Sequence, residues 1–213
     1  MVDAVKRDYR SDLRTAQARE TRRGIVAAAA SLFVETGYGA TTIDAVARVA
    51  GVSRKTVFTA VGGKVELLKL ALDWAIAGDD EPVAVADRPE VRALLDLPDA
   101  ADLLTGWATV LVEIDKRVAR LSEAMETAAG LDPAAKELVE RSSHQRLAGS
   151  RLIVDRVSHL GALRDGVSPA EAADIAWLLG DPVLYTRLVL TRGWSVRRFE
   201  HWVAATLRHD LIG

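Results

Sequence analysis

The chain of 213 residues contains no cysteine and no asparagine, and only 5% of its residues are aromatic. Without cysteine the protein has no disulfide, no thiolate nucleophile and no thiolate metal ligand. Long apolar runs are also missing, since the longest one near the N-terminus, residues 25–30, is far too short to cross a bilayer. Disulfide scaffolds are therefore excluded, and we expect a cytoplasmic protein without a membrane partner.

Charge is present in ordinary amounts but is unevenly divided along the chain. Residues 1–64 hold 11 Lys or Arg against six Asp or Glu, a net charge of +5, whereas residues 65–213 hold 17 against 24, a net charge of −7. A basic first third followed by an acidic remainder is typical of a nucleic-acid-binding head on a body with another task. Charge alone also fits a solvated basic tail, so the motifs have to decide between these readings.

Capping residues and helix breakers divide the chain into about nine helices, and no strand-like alternation is long enough to compete. We therefore expect an all-α fold in which Gly37 ends the first helix, Thr41 or Thr42 caps the second and Ser53 caps the third. A bend is expected near Gly180 in the eighth. The predicted helices are residues 15–36, 43–49, 54–60, 64–77, 89–95, 100–128, 133–160, 169–191 and 196–211.

Residues 41–64 have the proportions of a helix-turn-helix, in which one short helix crosses the phosphate backbone and a second lies in the major groove. Gly51 permits the tight turn, and Ala47, Val52 and Val57 would form the small apolar joint between the two helices. Lys64 stands at a helix N-terminus that favours a phosphate. The polar outer face of the second helix would then point at DNA: Ser53, Arg54, Lys55, Thr56 and Thr59.

Around these residues the sequence resembles the tetracycline-repressor (TetR) family of bacterial regulators, without gaps over about residues 18–70. The matching elements follow one another in order and spacing: an alanine-rich helix ending in a Gly37-Tyr38 turn, a Thr-Thr motif over residues 41–47, an Ala-Gly-Val-Ser turn over residues 50–53, Thr56-Val57-Phe58, and Lys64 before a Leu-Leu pair. The resemblance implies DNA contacts from Thr42, Arg54, Lys55, Thr56, Phe58, Thr59 and Lys64.

Two departures from the family pattern concern the recognition helix. Members usually carry Tyr where this chain has Phe58, which keeps the ring but lacks the phosphate-bonding hydroxyl, a loss of about 1 kcal/mol. They also carry an aromatic pair where this chain has Ala60 and Val61, so an aromatic contact to the DNA there is in doubt.

Residues 1–17 precede the motif and carry Lys6, Arg7, Arg10 and Arg14 interleaved with acids. They would form an arm that reaches the minor groove or the phosphates. The interleaved acids favour a solvated tail instead, and the sequence leaves both readings open.

The body, residues 65–213, should supply a two-fold interface, because a helix-turn-helix reads palindromic DNA only as a dimer. The last two helices carry more apolar residues than one helix hairpin can bury, and the resemblance also implies a four-helix dimer interface. An ordinary intrachain core is the alternative. The candidate interface residues are Leu178, Leu184, Leu188, Trp202 and Val203.

A small-molecule pocket in the body is a further expectation, since pockets need apolar walls with a few polar groups. The resemblance implies a ligand here but not which one. A surface position for the histidine and plain core positions for the others are the alternatives. The candidate residues lie on the three long helices of the body: Trp107, Met125, His144, Trp177 and Tyr185.

Catalysis finds no support, because the sequence lacks HExxH and P-loop motifs, and Glu140 and His144 stand four residues apart rather than three. We therefore expect no enzyme, no cofactor and no metal, and the remaining rival is an architectural DNA-binding protein that uses its body only to dimerise. The sequence predicts a ligand-responsive repressor that binds palindromic operator DNA as a homodimer and is released by a small molecule. Residues 1–64 would bind DNA, and residues 65–213 would bind the effector and the second subunit.

Overall fold

The structure, a computed structural model, describes the backbone of residues 2–213 and the side chains of residues 13–213. Within these residues it forms ten α-helices and no β-strand, which confirms the all-α fold. A 3₁₀ turn, Val85–Asp87, and a π-helical stretch, Thr186–Thr191, complete the regular structure. The helices are α1 (Val2–Ala40), α2 (Ile43–Val49), α3 (Arg54–Ala60), α4 (Lys64–Ala77), α5 (Pro89–Leu95), α6 (Ala100–Ala129), α7 (Pro133–His159), α8 (Pro169–Leu179), α9 (Pro182–Tyr185) and α10 (Val196–Leu211).

The caps explain why most helix boundaries fall where the sequence predicts them. Thr42 and Ser53 accept the backbone N–H groups of the third residues of α2 and α3, and Gly37 leaves the helical conformation with φ +81°. The first helix is an exception, because its backbone is already helical at Val2 instead of beginning near residue 15. The side chains of Lys6, Arg7 and Arg10, three of the four basic residues of the expected arm, lie outside the described residues; Arg14 is exposed.

The predicted helix 169–191 is interrupted more strongly than a bend. Gly180 follows α8, Asp181 then accepts the N–H of Val183, and Pro182 takes the first position of α9. Proline lacks the N–H that a continuous helix would need, so the chain starts a new helix here. The π-helical stretch directly follows α9.

Two hydrophobic clusters share the long helix α6. The head core contains Phe33, Val57 and Leu67, and the end of α6 joins it through Leu121 and Met125. The body core is built from the start of α6 together with α7, α8, α9 and α10. Met125 therefore packs in the head core and not in the body core with Trp107 and Tyr185. The largest fully buried side chains of the body core are Leu103, Leu104, Ile153, Phe199, Leu207 and Leu211.

Helix α4 belongs to the head core and is held at its C-terminal end from two sides. Arg117 of α6 donates hydrogen bonds to the carbonyl oxygens of Ala75 and Ile76, at 2.7 and 3.0 Å. Asp80, just beyond α4, accepts hydrogen bonds from Arg19 and Arg23 of α1. These two guanidinium groups hold the pKa of the Asp80 carboxyl well below its usual range. A displacement of α4 would therefore disturb its contacts with both α1 and α6.

A second link between the head and the body starts near the end of α1, directly after the non-helical residue Gly37. The Tyr38 hydroxyl donates a hydrogen bond of 2.9 Å to Asp132, whose other carboxylate oxygen accepts the N–H of Ala134 at the start of α7. Burial and the nearby Asp132 carboxylate raise the pKa of Tyr38, so the hydroxyl keeps its proton. None of the helices that the structure describes is long and apolar enough to span a membrane.

Candidate nucleic-acid interface

Helices α2 and α3 are held at a fixed angle by a small buried joint. Val46 and Val57 are fully buried and Ala47 is 5% exposed. Gly51 has φ +67°, a conformation that favours glycine, and the Val52 N–H donates to the Ala47 carbonyl at 2.9 Å. The geometry confirms the helix-turn-helix predicted from the sequence, with α3 as the second helix.

The outer face of α3 is polar, exposed and basic. Arg54, Lys55 and Thr59 are exposed, Phe58 is 47% exposed, and Thr56 is half-buried. Within the described side chains no carboxylate pairs with Lys55. Arg54, Lys55 and Thr56 lie in the first turn of this short helix, which is the end that enters a major groove, and Phe58 and Thr59 follow in the next turn.

Arg54 is already engaged on the surface of the head. Its guanidinium donates to Asp44 of α2 at 2.8 Å, and its central carbon lies 5.6 Å from the centre of the Phe58 ring. Both partners of the ion pair are about 60% exposed, with values of 59% and 60%. Such exposed pairs contribute little, so a phosphate or a base edge can replace Asp44 as the partner of Arg54.

Three hydroxyl groups of the predicted interface also serve the local fold. The Thr42 and Ser53 oxygens accept N–H groups at 3.1 and 3.0 Å as helix caps, and the Ser53 hydroxyl also shares a hydrogen bond of 2.8 Å with the Thr56 hydroxyl. The Thr59 hydroxyl donates to the Lys55 carbonyl at 2.9 Å, which leaves only its lone pairs free. Thr42 is therefore the best placed phosphate donor of the three.

Lys64 is folded back against the head instead of extending into solvent. Its Nζ lies 4.0 Å from the centre of the Tyr38 ring and donates to the Gly39 carbonyl at 3.4 Å. Partial burial lowers the pKa of the Lys64 ammonium. Contact between this side chain and a phosphate requires it to leave the Tyr38 ring. At the N-terminus of α4 the Glu66 carboxylate accepts the Gly63 N–H at 2.9 Å, so a phosphate there would have to displace it or use the N–H groups that follow.

In the body, the candidate pocket residues separate into three groups. Trp107 and Tyr185 are each 6% exposed and lie in the body core, and the half-buried Trp177 donates its indole N–H to the Ser143 carbonyl at 3.2 Å. His144 is exposed on α7 and does not line the core, so the surface alternative describes it. Met125 belongs to the head core, as described above.

The same region contains a polar cluster that the sequence analysis missed, formed by Asp115, Arg146 and Asp181. Asp115 of α6 is 2% exposed, and its Oδ2 atom is buried without a hydrogen-bond partner. Arg146 of α7 donates to Asp181 at 2.7 Å, and its guanidinium carbon lies 5.0 Å from the centre of the Trp177 ring. Burial, together with the nearby Asp181, raises the pKa of Asp115 to about 8, although Arg146 opposes this rise. Asp115 is therefore mostly protonated at neutral pH.

The candidate dimer residues are divided between the surface and the core. Leu178 is 55% exposed, and Leu184, Leu188 and Trp202 are half-buried. Val183 and Leu190 are further exposed apolar residues of this part of the chain, at 40% and 42%. Val203 is fully buried between Phe199 and Leu207 on the inner face of α10, so the intrachain alternative holds for it and it cannot contact a second subunit.

Comparison with known proteins identifies proteins that are similar to this chain. The family model described as bacterial regulatory proteins of the tetR family matches residues 25–71. The chain is 44% identical over 57 residues to TtgW, an uncharacterized HTH-type transcriptional regulator of Pseudomonas putida; this segment is 27% of the chain and 42% of TtgW. It is also 44% identical over 57 residues to the HTH-type transcriptional regulator SrpR of Pseudomonas putida, covering 27% of each protein. The matched segment thus spans less than half of either relative.

A likeness over almost the whole chain is found among solved structures. NalD, the secondary repressor of the MexAB-OprM multidrug efflux pump in Pseudomonas aeruginosa, superposes with a TM-score of 0.64 over 91% of this chain and 97% of NalD. The sequences are 18% identical, so this likeness shows the fold alone. It extends the similarity from the head to the helices of the body.

Proposed function

This chain belongs to the TetR family of DNA-binding transcriptional regulators, and on that premise we propose that it is a ligand-responsive repressor. It binds palindromic operator DNA as a homodimer in the bacterial cytoplasm and is released by a small-molecule effector. Residues 1–64 bind the DNA, and residues 65–213 bind the effector and the second subunit.

The observation that carries this proposal is the exposed polar face of α3 above a buried joint. Val57 anchors the inner side of the helix, and Lys55 on the outer side has no competing carboxylate among the described side chains. Thr42, Ser53, Arg54, Thr56, Phe58 and Thr59 surround it, and the start of α4 adds backbone N–H groups together with Lys64. Base edges and phosphates are the partners that this mixture of donors suits.

The homodimer is supported by apolar surface on α8, α9 and the π-helical stretch. Leu178, Val183 and Leu190 expose between 40% and 55% of their surface, and Leu184, Leu188 and Trp202 are half-buried. Large apolar side chains left exposed are typical of subunit interfaces. Half-sites about 34 Å apart, one turn of DNA, would then face the two copies of α3.

Effector binding is supported by the composition of the body core beside this surface. Trp107 and Tyr185 of this core are aromatic, and Asp115 and Arg146 each bury a polar atom without a hydrogen-bond partner, which is the mixture that small-molecule sites use. A ligand that displaces α4 through α6 would change the separation of the two recognition helices, because Arg117 ties these two helices together. Release requires the effector to favour the non-binding state by roughly 1–3 kcal/mol.

The test is DNA binding to the region upstream of the chain's own gene, measured across a salt series. We compare the wild type with Lys55→Ala and, as a matched control, Lys136→Ala, which removes an exposed lysine of α7. The proposal expects steep salt dependence, a clear loss of affinity in Lys55→Ala and no loss in the control. Absent or salt-insensitive binding, or equal effects of the two substitutions, would contradict it.

A further inference from the structure

Arg54 and Phe58 form a side-chain pair on the outer face of α3, one helical turn apart. The guanidinium carbon of Arg54 lies 5.6 Å from the centre of the Phe58 ring, and both side chains are exposed. Aromatic rings attract cations, so the contact keeps the two groups side by side. The pair therefore presents a charged donor and an apolar surface together to a molecule that meets this face of the helix.

The Phe58 ring has no polar atom with which it could bond a phosphate. In the major groove adenine, cytosine and guanine present hydrogen-bonding groups, and only thymine adds an apolar group, its C5 methyl. A ring placed against a polar base edge would remove water from that edge without replacing the lost hydrogen bonds, which is costly. The thymine methyl is therefore the base group that matches Phe58.

Arg54 keeps donors for a base edge even while it is paired on the protein surface. Its Nη1 atom donates to Asp44 at 2.8 Å, and among the described residues no other group accepts a hydrogen bond from its guanidinium. A guanidinium carries five N–H groups in a planar fork, so two parallel donors remain. Two such donors match the O6 and N7 acceptors of guanine, whereas adenine presents a donor in place of O6.

The spacing of the pair limits which bases it can contact together. Base pairs in DNA are stacked about 3.4 Å apart, and the 5.6 Å between the guanidinium carbon and the ring centre is less than two such steps. Arg54 is also the first residue of α3, at the end of the helix that enters a major groove. The two contacted bases should therefore lie in neighbouring base pairs.

We propose that Arg54 and Phe58 recognise a guanine and a thymine in neighbouring base pairs of each half-site. Arg54 donates to the guanine O6 and N7, and Phe58 packs against the thymine methyl. This inference rests on the DNA-binding function proposed above and deepens it, because it assigns part of the sequence that the operator contains. Phosphate contacts, which position a protein without selecting a sequence, are left to other donors such as Thr42.

A different arrangement of the same pair would be blind to sequence. Arg54 would then contact a phosphate, and Phe58 would pack against the sugar beside it. Replacing single base atoms in the DNA distinguishes the two arrangements, because it leaves every phosphate and sugar unchanged. Uracil differs from thymine only by the missing methyl group, and 7-deazaguanine differs from guanine only at N7.

The experiment first selects binding sites for the wild-type protein from DNA of random sequence. The selected half-sites should contain a thymine and a guanine in neighbouring base pairs. Each thymine of one half-site is then replaced by uracil and each guanine by 7-deazaguanine, one at a time, and the affinity is measured by titration. We expect uracil at one thymine to weaken binding about three- to fivefold, the effect of one lost methyl contact. At the neighbouring guanine, 7-deazaguanine should weaken binding about tenfold.

Selected half-sites without this pair of bases would overturn the proposal. Uracil substitutions that leave the affinity unchanged at every thymine would overturn it as well, because the contact of Phe58 would then be with the DNA backbone.

Phe58→Ala and Arg54→Ala assign the two effects to the two side chains, and neither should unfold the head because both side chains are exposed. In Phe58→Ala the effect of uracil should vanish while the effect of 7-deazaguanine persists, and Arg54→Ala should show the reverse. The matched control, Val49→Ala, removes an exposed apolar side chain of α2 and should keep both effects. If uracil weakens binding of Phe58→Ala as much as that of the wild type, another residue contacts the methyl and the proposal fails.

Failure of this inference can be told apart from failure of the DNA-binding function. If the wild type binds DNA in a salt-dependent manner and neither base substitution has an effect, the assignment of the two bases is wrong and the DNA-binding function stands. If no salt-dependent binding is found, the proposed function itself is wrong.

Discussion

The head and the body differ in whether their buried polar groups have hydrogen-bond partners. Among the described side chains, every buried polar atom without a hydrogen-bond partner lies beyond residue 87, including those of Trp107, Asp115, Arg146 and Thr186. In the head, the polar side chains of α2 and α3 are exposed or serve as caps. The apolar joint between α2 and α3 beneath them is buried.

This difference fits two kinds of partner. A surface that meets a long charged polymer needs a rigid support and outward-pointing donors, and its own fold can be complete before binding. A site that encloses a small molecule needs buried polar atoms that are free to bond the ligand, and these atoms lower the stability of the protein until the ligand binds. The polar groups of the head thus have partners or solvent before DNA binds, whereas some buried polar groups of the body have no partner before a ligand binds.

The difference between the head and the body is tested most strongly by making the same substitution in each of the two cores. Phe33→Ala and Phe199→Ala each remove a ring that is at most 1% exposed, one from the head core and one from the body core. Each should lower the free energy of unfolding by about 3–5 kcal/mol. At a temperature where both variants remain folded, DNA affinity should fall clearly in Phe33→Ala and stay near the wild-type value in Phe199→Ala. Equal losses would mean that the two cores do not act separately.

Asp115→Asn tests whether the buried acid of the body lowers the free energy of unfolding. Between pH 5 and pH 8 the folded protein keeps a proton on Asp115, whose pKa is raised to about 8, while the unfolded chain releases it. Wild-type stability should therefore fall as the pH rises through this window, and the variant should lack that contribution. We expect thermal unfolding to show the variant gaining roughly 3–4 kcal/mol over the wild type from pH 5 to pH 8. A gap that does not change with pH would show that Asp115 is ionised in the folded protein.

Tyr38→Phe removes the hydrogen bond between the head and the start of α7. The bond to Asp132 is short, at 2.9 Å, and only partly buried, so its loss should cost about 1 kcal/mol in chemical denaturation. Tyr185→Phe is the matched change in the body, where the described residues offer the hydroxyl no hydrogen bond. It should cost less. If the two variants lose the same stability, the Tyr38 contact does not link the two regions.

Asp44→Asn should have the smallest effect on stability and an opposite effect on function. It removes the exposed ion pair with Arg54 and an acid in the first turn of α2, together worth less than about 1 kcal/mol. It also frees Arg54 and lowers repulsion toward phosphates, so DNA affinity should rise a few-fold at low salt and less at high salt. Reduced affinity in gel-shift titrations would indicate that Asp44 positions Arg54 for its DNA contact.

The sequence predicted the head almost residue by residue because its signals are local. Each of α2, α3 and α4 begins after a capping residue or a glycine turn, and their observed bounds equal the predicted ones. The joint residues Ala47 and Val57 are small or β-branched apolar side chains flanking a positive-φ glycine. That combination has few other structural solutions.

The body was predicted less well because its signals depend on packing between distant helices. On α6 the apolar residues Val110 and Ile114 are half-buried, whereas Leu111 and Asp115 face the core. The signal available in the sequence was an acid placed three or four residues from apolar side chains on the same face of the helix. Only the structure shows which face of α6 is buried.

His144 and Val203 illustrate the same difficulty on α7 and α10. His144 lies six residues from both the buried Leu138 and the buried Ser150, and six helical steps rotate it to a different face. Val203 is four residues from Phe199 and from Leu207, so it shares their buried face. Hydrophobicity could not separate an inner face from a subunit interface for Val203, because both are apolar.

The most direct test of the division between head and body is amide hydrogen exchange of the full chain, with and without the DNA fragment upstream of its gene. The account predicts new protection confined to α2, α3 and the first turn of α4, including the amides of residues 53–59. The amides around Asp115 and Arg146 should stay as they are in the free protein. Protection that appears on α7 or α10 while α3 exchanges unchanged would contradict the account, because the DNA would then meet the acidic body instead of the recognition helix.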